Sequence, residues 1–444
     1  MTSPYLPPSR SASRPVGIED PLRFLEGLIR EQGDVARYDN QYGPVCFFNH
    51  PNHVQAVLQS RAFVRTSLLE MTMGNGLLAS EGEEWRKRRR LMQPYFVDHR
   101  LPPFGDVIVD RAVAMFERWE PAVSAASPID IAAELRRLTL EVIVKALLSV
   151  DLSREPEAWD PAFGVVIDDL GAISLTQFNI PVRFTSDRNA RFQEASRALD
   201  RNIYRVIAER RALDSKPDDL LSWLITAGGA DGALSDRDVR DEVITMLIAG
   251  HETTAIAVAW LCSLLERHRS IEARLLDELE RELGGRTPSA ADLPRLPFAR
   301  MVFEEAMRLY PPVCFLTRQA VEASEVDGHA VPARATVLLS PWTTHRHQDF
   351  WDEPERFNPD RFAPGQPRPH RFAYFPFGGG KHQCIGQSFG MLEGPLVIAL
   401  ILQRYSVRIV PGHPVEARPL ITLRLKQPLL ATVTPNVSRG RPRV

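Results

Sequence analysis

Apolar residues recur at three- and four-residue intervals over most of the chain. That spacing predicts helices over about 104–120, 130–150, 190–213, 235–268, 270–283, 298–309 and 385–403. Two stretches break the period. Val45–His50 (VCFFNH) reads as a short strand leading into a helical HVQAVLQS, and Val326–Ser340 reads as a small hairpin around Asp327-Gly328. Residues 340–384 carry little periodicity but many Pro, His, Arg and Phe, so a long ordered loop is expected there. The fold class that follows is mainly α with a small β region. Residues 1–17, rich in Pro, Ser and Arg, read as a loose tail, and 18–444 as a single domain.

Composition narrows this little. The chain has 444 residues, 44% hydrophobic and 25% charged, which suits a large globular enzyme fold rather than a fibrous or disordered one. A formal charge of −2 argues against a nucleic-acid binder, whose affinity needs a basic surplus. The four cysteines (Cys46, Cys262, Cys314 and Cys384) are far apart with no CxxC pair, so neither a disulfide framework nor a zinc cluster is suggested. The apolar run Leu396–Leu402 is far short of the ~20 residues that cross a bilayer. A soluble cytoplasmic monomer without a membrane anchor is expected.

Candidate chemistry concentrates in FGGGKHQCIG, Phe377 to Gly386. Three glycines permit a backbone path that side chains forbid, and the cysteine that follows precedes a helical run. A thiolate at a helix N-terminus is stabilised by backbone N–H groups and the helix dipole. A phosphate loop would need Gly at 375 and Ser or Thr at 382, where Phe375 and His382 stand. An inert buried cysteine in a glycine turn is the plainer alternative.

Three further segments matter. In EEAMRLYPP, Glu305 and Arg308 are three apart on a predicted helix, within reach of a salt bridge. The same ExxR spacing occurs at Glu83–Arg86, Glu134–Arg137, Glu278–Arg281 and Glu353–Arg356, so the spacing alone selects nothing. The helix with AGHETT begins at a Ser235/Asp238 capping pattern. It carries Gly250, at a cost of ~1 kcal/mol against Ala, and a charged Glu252 in an apolar run, for which a place on a wet helix face is the plainer reading. EEWRKRRR, Glu83 to Arg90, puts Trp85 and Arg89 on one side of a helix.

Together these segments resemble the cytochrome P450 family, in the family's order and over about residues 20–430. The loop is similar to FxxGx[RH]xCxG at Phe377, Gly380, His382, Cys384 and Gly386, with Gly378 counted among the cofactor contacts. The resemblance implies haem b with Cys384 as its iron ligand, a thiolate that favours O–O cleavage. It implies propionate contacts at Trp85, Arg89, Arg318 and His382. Glu305, Arg308 and Arg356, the last in the PERF-like EPERF, would form a structural lock. Ala249 and Gly250 would line the oxygen pocket, and Glu252 and Thr253 would deliver protons to dioxygen.

The implied activity is insertion of one oxygen atom from O₂ into an apolar small molecule. No GxGxxG, flavin or iron–sulfur segment is present, so electrons would come from NAD(P)H through a separate reductase and a ferredoxin or flavodoxin. Arg86, Lys87, Arg88 and Arg90 are candidates for docking an acidic donor. Leu69, Met71, Met73, Phe178, Met246, Val313 and Phe315 are candidate pocket walls, and Arg65 a candidate anchor for a substrate carboxylate. Terpenoids, polyketides and fatty acids are the expected substrate classes, with a bacterial natural-product pathway favoured. The rivals are a peroxide-using haem-thiolate enzyme, whose relatives often lose the acid–alcohol pair, and a haem sensor.

Overall fold

The computed structural model describes residues 20–436 except residue 41, the segments 66–73, 153–155, 176–177, 179–185 and 227–233, and residue 368. In chain order, α1 (Pro21–Gln32) precedes the hairpin β1 (Val35–Asn40) and β2 (Gly43–Phe48), then α2 (Pro51–Gln59) and β3 (Phe63–Val64). The helical body follows: α3 (Gly82–Met92), α4 (Pro102–Ser124), a short β4 (Ile129–Asp130), α5 (Ile131–Leu148), α6 (Pro156–Leu175), α7 (Ser186–Ala212), α8 (Leu220–Thr226), α9 (Asp236–Arg267), α10 (Arg269–Leu283) and α11 (Pro297–Leu309). After it come β5 (Leu316–Ala320), β6 (Ser324–Val326), β7 (His329–Val331), β8 (Thr336–Leu339), α12 (Pro341–Thr344) and α13 (Gln387–Arg404). The chain closes with β9 (Tyr405–Ile409), β10 (Ala417–Pro419), β11 (Leu423–Leu425) and β12 (Leu430–Pro435).

The axis of the molecule is α9. Its capping box forms as the sequence implies: Ser235 Oγ accepts from the Asp238 N–H at 3.1 Å, and the Asp238 carboxylate accepts from the Ser235 N–H at 3.3 Å. Helices α5, α7, α11 and α13 pack around it. It is long and apolar enough to cross a membrane, but 78% of its most apolar window is buried inside the protein. Full burial of each Leu, Ile or Val along these faces is worth about 1.5–3 kcal/mol, which explains an apolar helix at the core.

The β portion is a five-stranded sheet in the order β1-β2-β8-β5-β3, with β2 and β8 parallel. The hairpin expected over Val326–Ser340 is shorter than the sequence implies. Asp327 (φ 47°) and Gly328 (φ 81°) make the tight turn between β6 and β7. Arg334, at φ 63°, then turns the chain away, so that β8 pairs with β2 and β5 instead. The long segment after residue 340 is ordered, as expected, by buried polar bonds. The Phe375 N–H donates to His345 Nε2 at 2.9 Å, Trp351 Nε1 to the Ala373 carbonyl at 3.2 Å, and Tyr374 Oη to the Glu304 carbonyl at 2.9 Å.

Candidate active site

The glycine-rich loop has backbone demands that only glycine meets. Gly378 and Gly380 adopt φ of 68° and 66°, and a Cβ on Gly380 would lie 2.1 Å from the Leu58 carbonyl oxygen of α2. The loop closes where the Cys384 N–H donates to the Phe377 carbonyl at 2.9 Å. Gly386 then caps α13, so the cysteine stands at a helix N-terminus. Cys46, Cys262 and Cys314 are closed into the core, whereas Cys384 is exposed although the surrounding protein desolvates its thiol. Burial raises the thiol above its ordinary pKa, while the Gly386 N–H and the Arg89 charge oppose that shift. The inert-cysteine alternative therefore fits the other three and not this one.

Beside the loop lies a concentration of positive charge. Arg89 Nη1 donates to the Gln383 carbonyl at 2.7 Å, and His382 stacks edge-on against Trp85 with ring centroids 4.4 Å apart. Arg318, on β5, is 8% exposed and has no ion-pair partner among the described residues; burial and the Arg65 charge lower its pKa to about 10. One acid serves the cluster. Glu81 lies 3.1 Å from Arg65 Nε and 3.0 Å from His382 Nε2, although neither His382 nitrogen makes a hydrogen bond of full geometry. Burial pulls the His382 pKa down to about 4. Buried cations without counter-charges are costly. A dianionic ligand beside Cys384 relieves that cost, and haem b, with two propionates for the cations and an iron for the sulfur, fits the set.

Two basic residues do not behave as the sequence suggests. Arg65 is committed to Glu81 and to the Leu77 carbonyl at 3.1 Å, so it is no free anchor for a substrate carboxylate. Arg88 is buried, reaching Glu242 at 2.8 Å and Asp238 at 3.0 Å, and ties α3 to α9 rather than docking a donor. Arg86, Lys87 and Arg90 are exposed.

Between Asp241 and Leu265, only Ile248, Ala249, Gly250 and Thr253 are not fully buried. They leave a partly uncovered patch in the middle of α9. Thr253 Oγ1 donates to the Ala249 carbonyl at 3.0 Å. Gly250 also serves packing, because a Cβ there would lie 2.8 Å from Ile143 Cδ1 of α5. Glu252 is 3% exposed, so it is not on a wet face. Its Oε2 accepts from Thr422 Oγ1 at 2.7 Å, and its Oε1 lies 2.5 Å from Arg424 Nε. It makes no bond to Thr253.

The lock around Glu305 is present with one member exchanged. Arg308 donates to Glu305 and to the carbonyls of His345 (3.0 Å), Pro354 (2.7 Å) and Arg356 (3.1 Å). The Asn358 N–H donates to Glu305 Oε1 at 2.9 Å. The Arg356 side chain turns outward to the exposed Glu353, and the second arginine at Glu305 is Arg361, at 3.4 Å. The 3₁₀ turn Pro359–Phe362 brings Arg361 back towards α11, which corrects the expectation for Arg356.

Sequence reasoning thus missed Arg361, Thr422 and Arg424. It also missed Glu393 of α13, which is fully buried beside Thr254. Of the pocket candidates, Leu69, Met71 and Met73 lie outside the described residues. Met246 is buried and Val313 half-buried. Phe178 is fully buried, 5.0 Å from Phe315 and in one core cluster with Leu22 and Leu25 of α1, so it packs the core rather than walling a pocket.

The Cytochrome P450 family profile matches residues 18–432. Cyclooctatin synthase of Streptomyces melanosporofaciens is 35% identical over 413 residues, covering 91% of this chain and 89% of that protein. Pentalenene oxygenase of Streptomyces avermitilis is 31% identical, with 91% and 90% covered. The crystal structure of the cytochrome P450DA heme domain superposes with a TM-score of 0.85 at 24% identity, covering 95% of this chain and 93% of that one, a likeness of fold. With a profile along nearly its whole length and relatives above 30% identity over nine-tenths of it, this chain belongs to the cytochrome P450 family.

Proposed function

We propose that this cytochrome P450 oxidises an apolar terpenoid intermediate, with Cys384 as its haem ligand and Glu252 and Thr253 as its proton-handling pair. The family holds haem b through a cysteine thiolate, and the bound haem supplies the chemistry that incorporates an atom of dioxygen. The observation that carries the assignment is Cys384 itself. It is the one exposed cysteine of four, at a helix N-terminus and with the Arg89 charge acting on its thiol. On α9, Ala249 and Thr253 give the partly uncovered patch a small side chain and a hydroxyl already oriented by its bond to a helix carbonyl.

The substrate class rests on kinship and on charge. Three relatives at 31–35% identity are named for cyclooctatin, cyclooctat-9-en-7-ol and pentalenene. Fatty-acid hydroxylation is the second reading, because the human ultra-long-chain fatty acid omega-hydroxylase is 28% identical. The engagement of Arg65 with Glu81 weighs against it, since a fatty carboxylate then lacks that cation. Electrons would come from NAD(P)H through a reductase and a separate ferredoxin or flavodoxin, with the exposed Arg86, Lys87 and Arg90 suited to an acidic donor.

Absorption titration of the ferric protein with terpenes, polyketides and fatty acids tests both parts. A thiolate-haem spectrum that moves towards high spin with terpenes is expected. A shift with fatty acids alone would overturn the substrate class, and a haem-loaded protein lacking the thiolate signature would overturn Cys384 as ligand.

A further inference from the structure

We infer that Asp241 and Glu242, consecutive carboxylates near the start of α9, are positioning residues for the cofactor: they clamp the Gly74–Leu77 loop and α3 onto α9 and so hold Trp85 and Arg89 where the haem propionates are received. The inference rests on the reading of Trp85 and Arg89 as propionate contacts.

Each acid divides its two oxygens in the same way. One oxygen takes a loop N–H: Asp241 Oδ2 accepts from Asn75 at 2.9 Å, and Glu242 Oε2 accepts from Leu77 at 3.0 Å. The other oxygen takes an arginine. Arg240 Nη1 donates to Asp241 Oδ1 at 3.0 Å, and Arg88 Nη1 to Glu242 Oε1 at 2.8 Å. Asp241 is 4% exposed and Glu242 0%, so these charge-assisted bonds are sheltered from water, where they are strongest.

The loop sequence is shaped to this clamp. A Cβ on Gly74 would overlap the Asp241 carboxylate, and one on Gly76 would overlap Thr245 Oγ1 and the Asp241 carbonyl. Gly-Asn-Gly-Leu therefore lies with its backbone directly on α9, and its two glycines are spent on that approach.

From the clamp, bonds run to the cofactor side. The Gly76 carbonyl accepts from the N–H groups of Ala79 (3.0 Å) and Ser80 (2.9 Å), which turns the chain towards α3. The Leu77 and Ser80 carbonyls then accept from Arg65, whose N–H and Nε donate to Glu81 at 2.9 and 3.1 Å. The Glu81 carbonyl accepts from the Trp85 N–H at 3.3 Å, in the first turn of α3. On that helix Arg88 adjoins Arg89 and stands three residues from Trp85, and Arg88 is the side chain that fastens α3 to Glu242. Loop and helix thus hang on one residue of α9, and moving Glu242 moves Trp85 and Arg89 together.

The test uses the haem-loaded protein. In Glu242→Gln, and in Gly76→Ala, which lifts the loop without changing any charge, haem loss to apomyoglobin is expected to quicken about 10-fold, the size of one hydrogen bond to a charged group. The propionate-bending bands of the resonance Raman spectrum should shift in the same direction as in Arg89→Gln, the direct reference; a merely structural role leaves those bands in place. Combined with Arg89→Gln, neither variant should multiply the loss rate in full, because a guanidinium that is absent cannot be misplaced. Gly76→Ala carries the test if Glu242→Gln does not fold. Unchanged bands with fully multiplying rates overturn the positioning role and leave Arg89 as a propionate contact. Bands and loss rate unchanged in Arg89→Gln itself overturn the propionate reading, and the inference with it.

Discussion

Arg308 donates Nε and Nη2 to the two oxygens of Glu305 at 2.7 and 2.8 Å, and neither side chain is exposed to solvent. The pair sits one helical turn apart on α11 and reaches three carbonyls of the following meander. Glu305→Gln would leave Arg308 and Arg361 without their counter-charge, a loss of about 3–5 kcal/mol for a broken buried pair. Urea unfolding of the haem-free protein measures it. Adding Arg308→Met should not restore stability, because the three carbonyls then lose their donor. Full recovery in the double variant would reduce the lock to a simple charge pair.

Arg318 should act with opposite signs on folding and on cofactor binding. It is a buried cation with no ion-pair partner among the described residues, its pKa lowered to about 10 by burial and by Arg65. Arg318→Met therefore removes a desolvation cost from the haem-free protein, whose melting temperature should hold or rise. Haem affinity should fall roughly 10- to 100-fold, the range of a lost hydrogen bond to a charged group. A variant that loses stability without losing haem affinity would show that Arg318 is only a packing residue.

What was legible in the sequence was what lies close along the chain. The path of Phe377–Gly386 follows from its glycines, and the capping box of α9 from two residues three apart. The long loop was legible as ordered, but its anchors were not. Arg356 and Arg361 stand in one short segment, and the local turn geometry decides which of the two side chains points inward to Glu305. Thr422 and Arg424 lie 170 or more residues from Glu252, on a hairpin whose placement depends on tertiary packing. No spacing rule joins them. The cysteine loop announces chemistry because few other sequences could adopt its path, whereas a lone arginine in a strand announces nothing.

Glu393 makes stability depend on pH in a definite direction. Burial on α13 raises its pKa to about 8, and Thr254 beside it only partly offsets this. Between the ordinary carboxylate range and pH 8, the folded protein keeps a proton that the unfolded chain releases. Stability from this group therefore falls as pH rises through that window, by up to about 1.4 kcal/mol per pH unit. Glu393→Gln cannot titrate, so its advantage over wild type should grow from pH 5 to pH 8. Melting curves of both proteins across that range decide it; parallel curves would mean that the native carboxyl is ionised throughout.

At Gly250 an observed role, close packing of α5 against α9, can be told apart from a proposed one, an open surface for dioxygen. Gly250→Ala gains ~1 kcal/mol of helix propensity. Against this, its methyl meets Ile143 Cδ1 at 2.8 Å, and overpacking costs about 1–3 kcal/mol. The contact is with the end of a side chain that can move, so the net effect should be a small destabilisation, below about 2 kcal/mol. Ile143→Val removes the nearest atom, and in that background Gly250→Ala should be neutral or stabilising. The coupling in such a cycle falls within about 0.5–3 kcal/mol for residues in contact. If the paired variant regains stability and also binds dioxygen normally, Gly250 is there for the helix contact. If stability returns while dioxygen binding to the reduced, haem-loaded protein stays impaired, the glycine keeps the surface beside Ala249 and Thr253 clear.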